Sequence, residues 1–226
     1  VEKNLASDVS FNGVDFSKEK INCIDFKEYR FPSGNISFNN TNFGNKDISF
    51  FKVKFECKSL SFLNAKFDGK NIDFTKANFN LENLDFSNAK FGNGNVKFQS
   101  CKIQGGDTSF FRCQFGNKRL SFEGTDFGNG NVDFRFTKLN GNVDFSKTTF
   151  GEGDVNFYAT SFRTASFDED ETISSVSFKD SRFSSGNLDF TRANFGGNNV
   201  NFERMEKLSG DTIFVNSKFS SGKVAS

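Results

Sequence analysis

The sequence predicts an all-β chain wound into a solenoid, and three observations carry that expectation. All but three of the 35 phenylalanines lie on one five-residue grid that runs from Phe11 to Phe219. Over most of its length the grid gains two residues after every second step. From residue 34 the chain reads GN-ISFNN-TNFGN, KD-ISFFK-VKFEC, KS-LSFLN-AKFDG, KN-IDFTK-ANFNL. Apolar or small side chains stand two residues before each Phe, and polar ones fill the rest. A period this strict marks a repeat architecture.

Each five-mer is justified by the same alternation. Its centre, i, is Phe in nearly every unit, with Ile21, Ile103, Leu139 and Ile173 as substitutes. Position i−2 is a large aliphatic in first five-mers, as at Ile36, Ile48, Leu60, Ile72 and Leu84, and small in second five-mers, as at Thr41, Ala65, Ala77, Cys101 and Thr125. Residues two apart share one face of an extended chain, so i−2 and i point inward while the other three face water or form a corner. A helix would need apolar residues at spacings of three and four, and the many Gly, Asn and β-branched residues oppose it.

Packing sets the size of the coil. A coil of two five-mers leaves no interior for Phe, whereas four sides give each ring a quarter of the cross-section at the close-packed density of protein interiors. Most coils are therefore expected to hold four five-mers and two inserted pairs, about 24 residues. Phe62, Phe86 and Phe110 then stand in one ladder and Phe74 and Phe98 on the opposite wall. The chain holds about nine coils, a rod of ~45 Å at the usual interstrand spacing. It is read as a single domain over 1–226, with 1–8 a lead-in and 222–226 a tail.

VDFSK at 143–147, IDFTK at 72–76, ANFNL at 77–81 and LDFTR at 188–192 resemble the repeats of the pentapeptide-repeat family, and the resemblance covers residues 9–221. It implies a right-handed quadrilateral parallel β-helix. Two features depart from the family pattern: Phe stands at i where Leu is more usual, and inserted pairs such as GN, KD and KN follow alternate five-mers. With those insertions, two opposite corners of each coil are expected to bulge.

The irregularities have their own expectations. The N-terminal run VSFNG-VDFSK-EKINC-IDFKE-YRFPS lacks insertions and carries Pro32 at its last corner. One residue is missing near 140. Residues 155–175 lack the inserted pairs and contain the acidic run Asp168, Glu169, Asp170 and Glu171. Lys207 falls on an inward position, and because a buried unpaired ammonium is costly, a bulge turning Leu208 inward is expected instead.

Composition narrows the function. Net charge is +1, so no global field draws the chain to nucleic acid or anionic lipid. No apolar run approaches the ~18 residues of a membrane span. With neither signal peptide nor initiator Met, the chain reads as a processed form or an excised domain. There is no His, hence no usual general base and not the commonest metal ligand. Asp73, Asp85, Asp133, Asp144 and Asp189 recur at i−1 as a solvated ladder rather than a catalytic pair. GNGNVDF and GEGDVNF faintly resemble calcium-binding nonapeptides, but the period is 12 and Lys takes the ligand position in GNGNVKF, so Gly and Asn at positive-φ corners explain them better. Cys23, Cys57, Cys101 and Cys113 form no dense or paired pattern and read as free thiols, Cys101 and Cys113 as small buried residues. No enzyme activity, cofactor, metal or small-molecule substrate is expected.

What remains is binding. Second five-mers carry Lys54, Lys66, Lys90, Lys102 and Lys138 at i−1 where first five-mers carry Asp, so neighbouring walls alternate in sign. The off-grid side chains Leu63, Phe111, Phe136 and Tyr158 fall on stacked units and form a broken apolar stripe, with Phe51 opposite; such a stripe is the candidate partner-binding surface. The leading expectation is a protein-interaction or structural rod whose uncapped ends also allow self-association end to end. The alternative from the family resemblance is topoisomerase protection by DNA mimicry, as in the quinolone-resistance proteins, which calls for a continuous negative face. An ice-binding face would need an exposed Thr array, and the Thr residues here are mostly inward.

Overall fold

Every turn of the rod is built around phenylalanine rings. The structure, a computed structural model, describes residues 7–162, 175–220 and 222–226. Ile36 pairs with Leu60 and Leu60 with Leu84, so each wall recurs after four five-mers and two inserted pairs. All strand pairs are parallel, and two of the four walls stack nine strands each, which is eight turns from first rung to last. In the coil that starts at Ile36, the first wall centres on Phe38, the second on Phe43, the third on Phe50 and the fourth on Phe55.

The rings follow the strands. Phe62 and Phe86 lie 4.8 Å apart and Phe86 and Phe110 5.2 Å, all nearly coplanar. Phe74 and Phe98 stack at 4.7 Å in the facing ladder. The two ladders meet edge to face across the interior, with Phe62 and Phe74 6.0 Å apart at 85°. Phe67 leans on Phe62 at 5.9 Å and Phe79 on Phe74 at 6.3 Å, so second- and fourth-wall rings flank the central pair. Ile103 and Leu139 take the inward site without breaking the wall, because an aliphatic side chain still fills the rung.

The corners are of two kinds. After first- and third-wall Phe residues the chain makes a β-turn, as in Val53 N–H to Phe50 C=O at 3.1 Å. The third residue of each such turn is left-handed, and among the described residues fifteen of them are not Gly. Its N–H reaches the next coil, as Lys52 does to Thr75 C=O at 3.0 Å. The inserted pairs occupy the other two corners. They are hydrogen-bonded rather than loose bulges, and strands Asn78–Asp85 and Lys102–Ser109 run straight through one of them. The second inserted residue is often Asp or Asn, whose side chain accepts an N–H from the next coil. Asp107 takes Asn131 N–H at 2.8 Å, Asn131 takes Asp154 N–H at 2.9 Å, and Asp154 takes Asn187 N–H at 2.7 Å. This is why those positions favour Asn and Asp. The positive-φ explanation holds for few of them: of the glycines in the GNGN and GEGD segments only Gly128, at φ 61°, is left-handed. At Gly106 a Cβ would instead lie 1.4 Å from Glu82 C=O of the coil beneath, so close approach demands glycine there.

Interior polar groups are used between coils. Thr137 and Thr160 hydroxyls donate to Phe110 and Phe134 carbonyls at 2.6 Å. Cys101 and Cys113 thiols do the same to Phe74 at 2.9 Å and Phe86 at 2.8 Å.

Three expectations need correction. Ile21 is not an inward substitute. The first coil, from Val9 to its partner Ile36, is longer than the coil above it, from Ile36 to Leu60, and EKINC is an extra unit left outside with Ile21 44% exposed. Lys207 stays inward in register with Phe183, and its ammonium escapes along the stem to Gly186 C=O at 2.6 Å, while Leu208 is exposed. Val224–Ala225, within the stretch read as a tail, is the last rung of the third wall and pairs with Val200–Asn201; its Phe position is taken by Ser226, so the repeat is hard to see. The shortened unit near 140 is present, since Leu120 pairs with Val143 and the wall closes one position early. Ile173 and the acidic run 168–171 lie outside the described residues.

Phe86 is fully buried between two stacked neighbours. Phe86→Ala should cost about 3–5 kcal/mol in a denaturant titration, and a loss below ~1 kcal/mol would mean that the ring is not packed in a core.

Candidate binding corner

The tight corner between the first and second walls presents two side chains per coil to solvent, those that follow the Phe. Backbone bonds thread them into a ladder: Asn64 N–H to Ser87, Asn88 to Phe111, Arg112 to Arg135, Phe136 to Tyr158, and Ala159 to Thr191, at 2.8–3.0 Å. This row places the sequence candidates. Leu63, Phe111, Phe136 and Tyr158 all lie on it, and Phe51 lies on the diagonally opposite corner. Ser87 separates Leu63 from the rest.

The other three meet. Phe111 and Phe136 rings are 5.8 Å apart at 89°, and Phe136 and Tyr158 5.5 Å apart at 72°. Edge-to-face contacts of this kind are favourable beyond the area they bury. Phe136 is nonetheless 44% exposed and adopts φ 58°. A bulky residue there costs about 1–2 kcal/mol, and the same position of this corner in other coils is held by Asn40, Asn64, Asn88, Arg112, Ala159, Arg192 and Asn216.

Sequence reasoning missed the arginines. Arg112 lies over Phe111 at 5.0 Å and over Phe136 at 5.7 Å. Arg135 lies over Phe111 at 5.5 Å and grips Asp133 through Nε and Nη2, at 3.0 and 2.7 Å. That hydrogen bond and the carboxylate's charge raise the Arg135 pKa further. Arg192 lies over Tyr158 at 5.7 Å and donates to its hydroxyl at 2.9 Å. The available signal was basic residues at the same two outward positions as the aromatics.

Asp73, Asp85, Asp133, Asp144 and Asp189 each accept the N–H two residues on, at 2.7–3.0 Å, and so brace the turn. On the second wall Lys66, Lys90, Gln114 and Lys138 stack in register. Among the described residues no group of three or more Cys, Asp or Glu side chains could hold a metal ion, and no helix is long and apolar enough to cross a membrane.

Burial suppresses the interior thiols. It pushes Cys57 up to about 11 and raises Cys101 and Cys113 as well. In the unfolded chain a thiol ionises near ~8.5. Between those values the native state keeps protons that the unfolded state loses, so stability falls as pH rises. The thiol contribution to stability should be constant below about pH 8 and decline above it. Cys101→Thr with Cys113→Thr, the residue at Thr125 and Thr137, should remove much of that decline; an unchanged decline would place it in other groups. Only exposed Cys23 should alkylate readily at that pH.

No protein-family model and no curated protein matches the sequence. Among solved structures, a similar chain is HetL, a pentapeptide repeat protein involved in heterocyst differentiation regulation from the cyanobacterium Nostoc sp. strain PCC 7120. Its identity is 10% and its TM-score 0.27, over 96% of this chain and 90% of that one. A likeness that distant says nothing of what this chain binds. The chain's own repeat and four-walled coil are what the sequence resemblance implied: it is a parallel β-solenoid of Phe-centred pentapeptide repeats.

Proposed function

We propose that the chain is a non-enzymatic rod that presents the aromatic–arginine corner to a protein partner. The observation that carries this reading is Phe136. An aromatic ring is kept in a left-handed turn position and in water, where the other described turns place Asn, Gly, Ala, Ser or a charged side chain. Strain of that kind collects at functional sites, and a rigid aromatic flanked by arginines is the usual composition of an interface anchor. DNA mimicry finds less support. Along the first wall Asp85, Ser109, Asp133 and Asn156 alternate acid with neutral side chains, and the next wall carries Lys.

Phe136→Asn tests the reading. Relief of backbone strain offsets the lost ring contacts, so stability should stay within about 1 kcal/mol of the parent. Proteins captured from the source cells by the parent and by a Phe51→Asn control should be lost by Phe136→Asn. Identical capture by all three would overturn the proposal. End-to-end joining of rods is a separate mode; it would persist in Phe136→Asn and rise with concentration in sedimentation velocity.

A further inference from the structure

Charge on the aromatic corner is poorly neutralised. Arg112 is exposed and sits over two rings, yet its guanidinium has no hydrogen-bond acceptor or carboxylate among the described residues. Arg192 spends one donor on Tyr158. Only Arg135 has a carboxylate. The diagonally opposite corner differs: Lys52 pairs with Glu28 at 3.3 Å, Lys147 with Glu123 at 3.6 Å, Lys179 with Glu203 at 2.8 Å and Arg204 with Asp180 at 2.6 Å. Those four cations are satisfied within the rod, while Lys27 lies over Phe51 at 5.7 Å. A guanidinium that spends no N–H on the rod keeps its donor edges free, and those edges match a carboxylate in two-bond geometry.

Resting on the reading of this corner as a binding surface, we infer that its occupant is an extended acidic segment of a partner protein. Arg112 and Arg192 stand three rungs apart, ~14 Å at the interstrand spacing. An extended chain covers that distance in about four residues. Carboxylates at positions j and j+4 would meet Arg112 and Arg192, and an apolar side chain at j+2, on the same face, would cover Phe136. Single-stranded nucleic acid also combines stacking with arginine contacts. Beside the corner, however, Asp107, Asp133 and Asp154 line a shallow cleft with Arg135. A phosphate at every nucleotide would run against that row, whereas a peptide carries charge only at chosen positions.

The test uses the full chain and a labelled synthetic peptide with Glu at j and j+4 and Leu at j+2, read by fluorescence anisotropy. Binding should weaken about tenfold or more when both Glu are Gln, weaken with added salt, and fall several-fold in Arg112→Gln and in Arg192→Gln, with Arg204→Gln as an unaffected control. Equal binding of the Glu and Gln peptides, or no binding at saturating peptide, overturns the acidic-segment inference. Tighter binding of oligo(dT), lost in Arg112→Gln, would replace it with nucleic acid. These results are separable from the capture experiment: if Phe136→Asn abolishes capture and the peptide still fails, the corner is an interface for a different chemistry. If capture is unaffected, both readings fall.

Discussion

The stacking of phenylalanine rings at the spacing of hydrogen-bonded strands is the constraint on which the rest of this molecule depends. Parallel strands repeat at ~4.8 Å, and the ladder rings lie 4.7 Å apart between Phe50 and Phe74 and 4.8 Å apart between Phe38 and Phe62. One distance satisfies the backbone ladder and the ring stack together. Each coil must then supply rings at fixed places. Two facing ladders meet edge to face and two more flank them, and that arrangement needs four five-mers. A slip of one residue would turn every ring into water, so the pattern tolerates Ile or Leu at i but no shift of phase.

The corners are adapted to hold that phase. Left-handed turn residues, many of them Lys, Arg or Asn, are individually unfavourable. They persist because each donates its N–H to the coil above, in the same geometry, along most of the rod. At the inserted corners Asp and Asn side chains do the bonding. Neighbouring coils are therefore joined by ring stacks, strand ladders, turn N–H groups and side-chain acceptors at once. Damage to one coil is transmitted to its neighbours, as expected of a quasi-one-dimensional solenoid.

This rigidity makes the outward corner positions a display. Backbone spacing is set by the core, so side chains placed there acquire a defined pitch at little structural cost. On the lower rungs of one row the residues are mostly Asn and Ser, as at Asn39, Asn40, Asn64, Ser87 and Asn88. Over four rungs they become Phe111, Arg112, Arg135, Phe136 and Tyr158, followed by Arg192. Rings and guanidinium groups interleave, and of these arginines Arg135 alone pairs with an acid, whereas several cations of the opposite corner do so.

Periodicity made the coil length, the inward ladders and the side of the rod that carries Leu63, Phe111, Phe136 and Tyr158 legible, because ring volume and strand alternation act locally and repeat in every unit. It did not reveal that EKINC lies outside the wall, since Ile21 fits the five-residue pattern as well as any core residue; only the closure of the first coil excludes it. Nor did it reveal the fate of Lys207, whose long stem can stay in register while the ammonium finds Gly186. The grouping of Arg112, Arg135 and Arg192 was hidden for a different reason. They are distant and unevenly spaced in the chain, and they alternate between two corner positions. Only the stacking of coils, one of them lengthened between Val155 and Leu188, brings their side chains onto neighbouring rings.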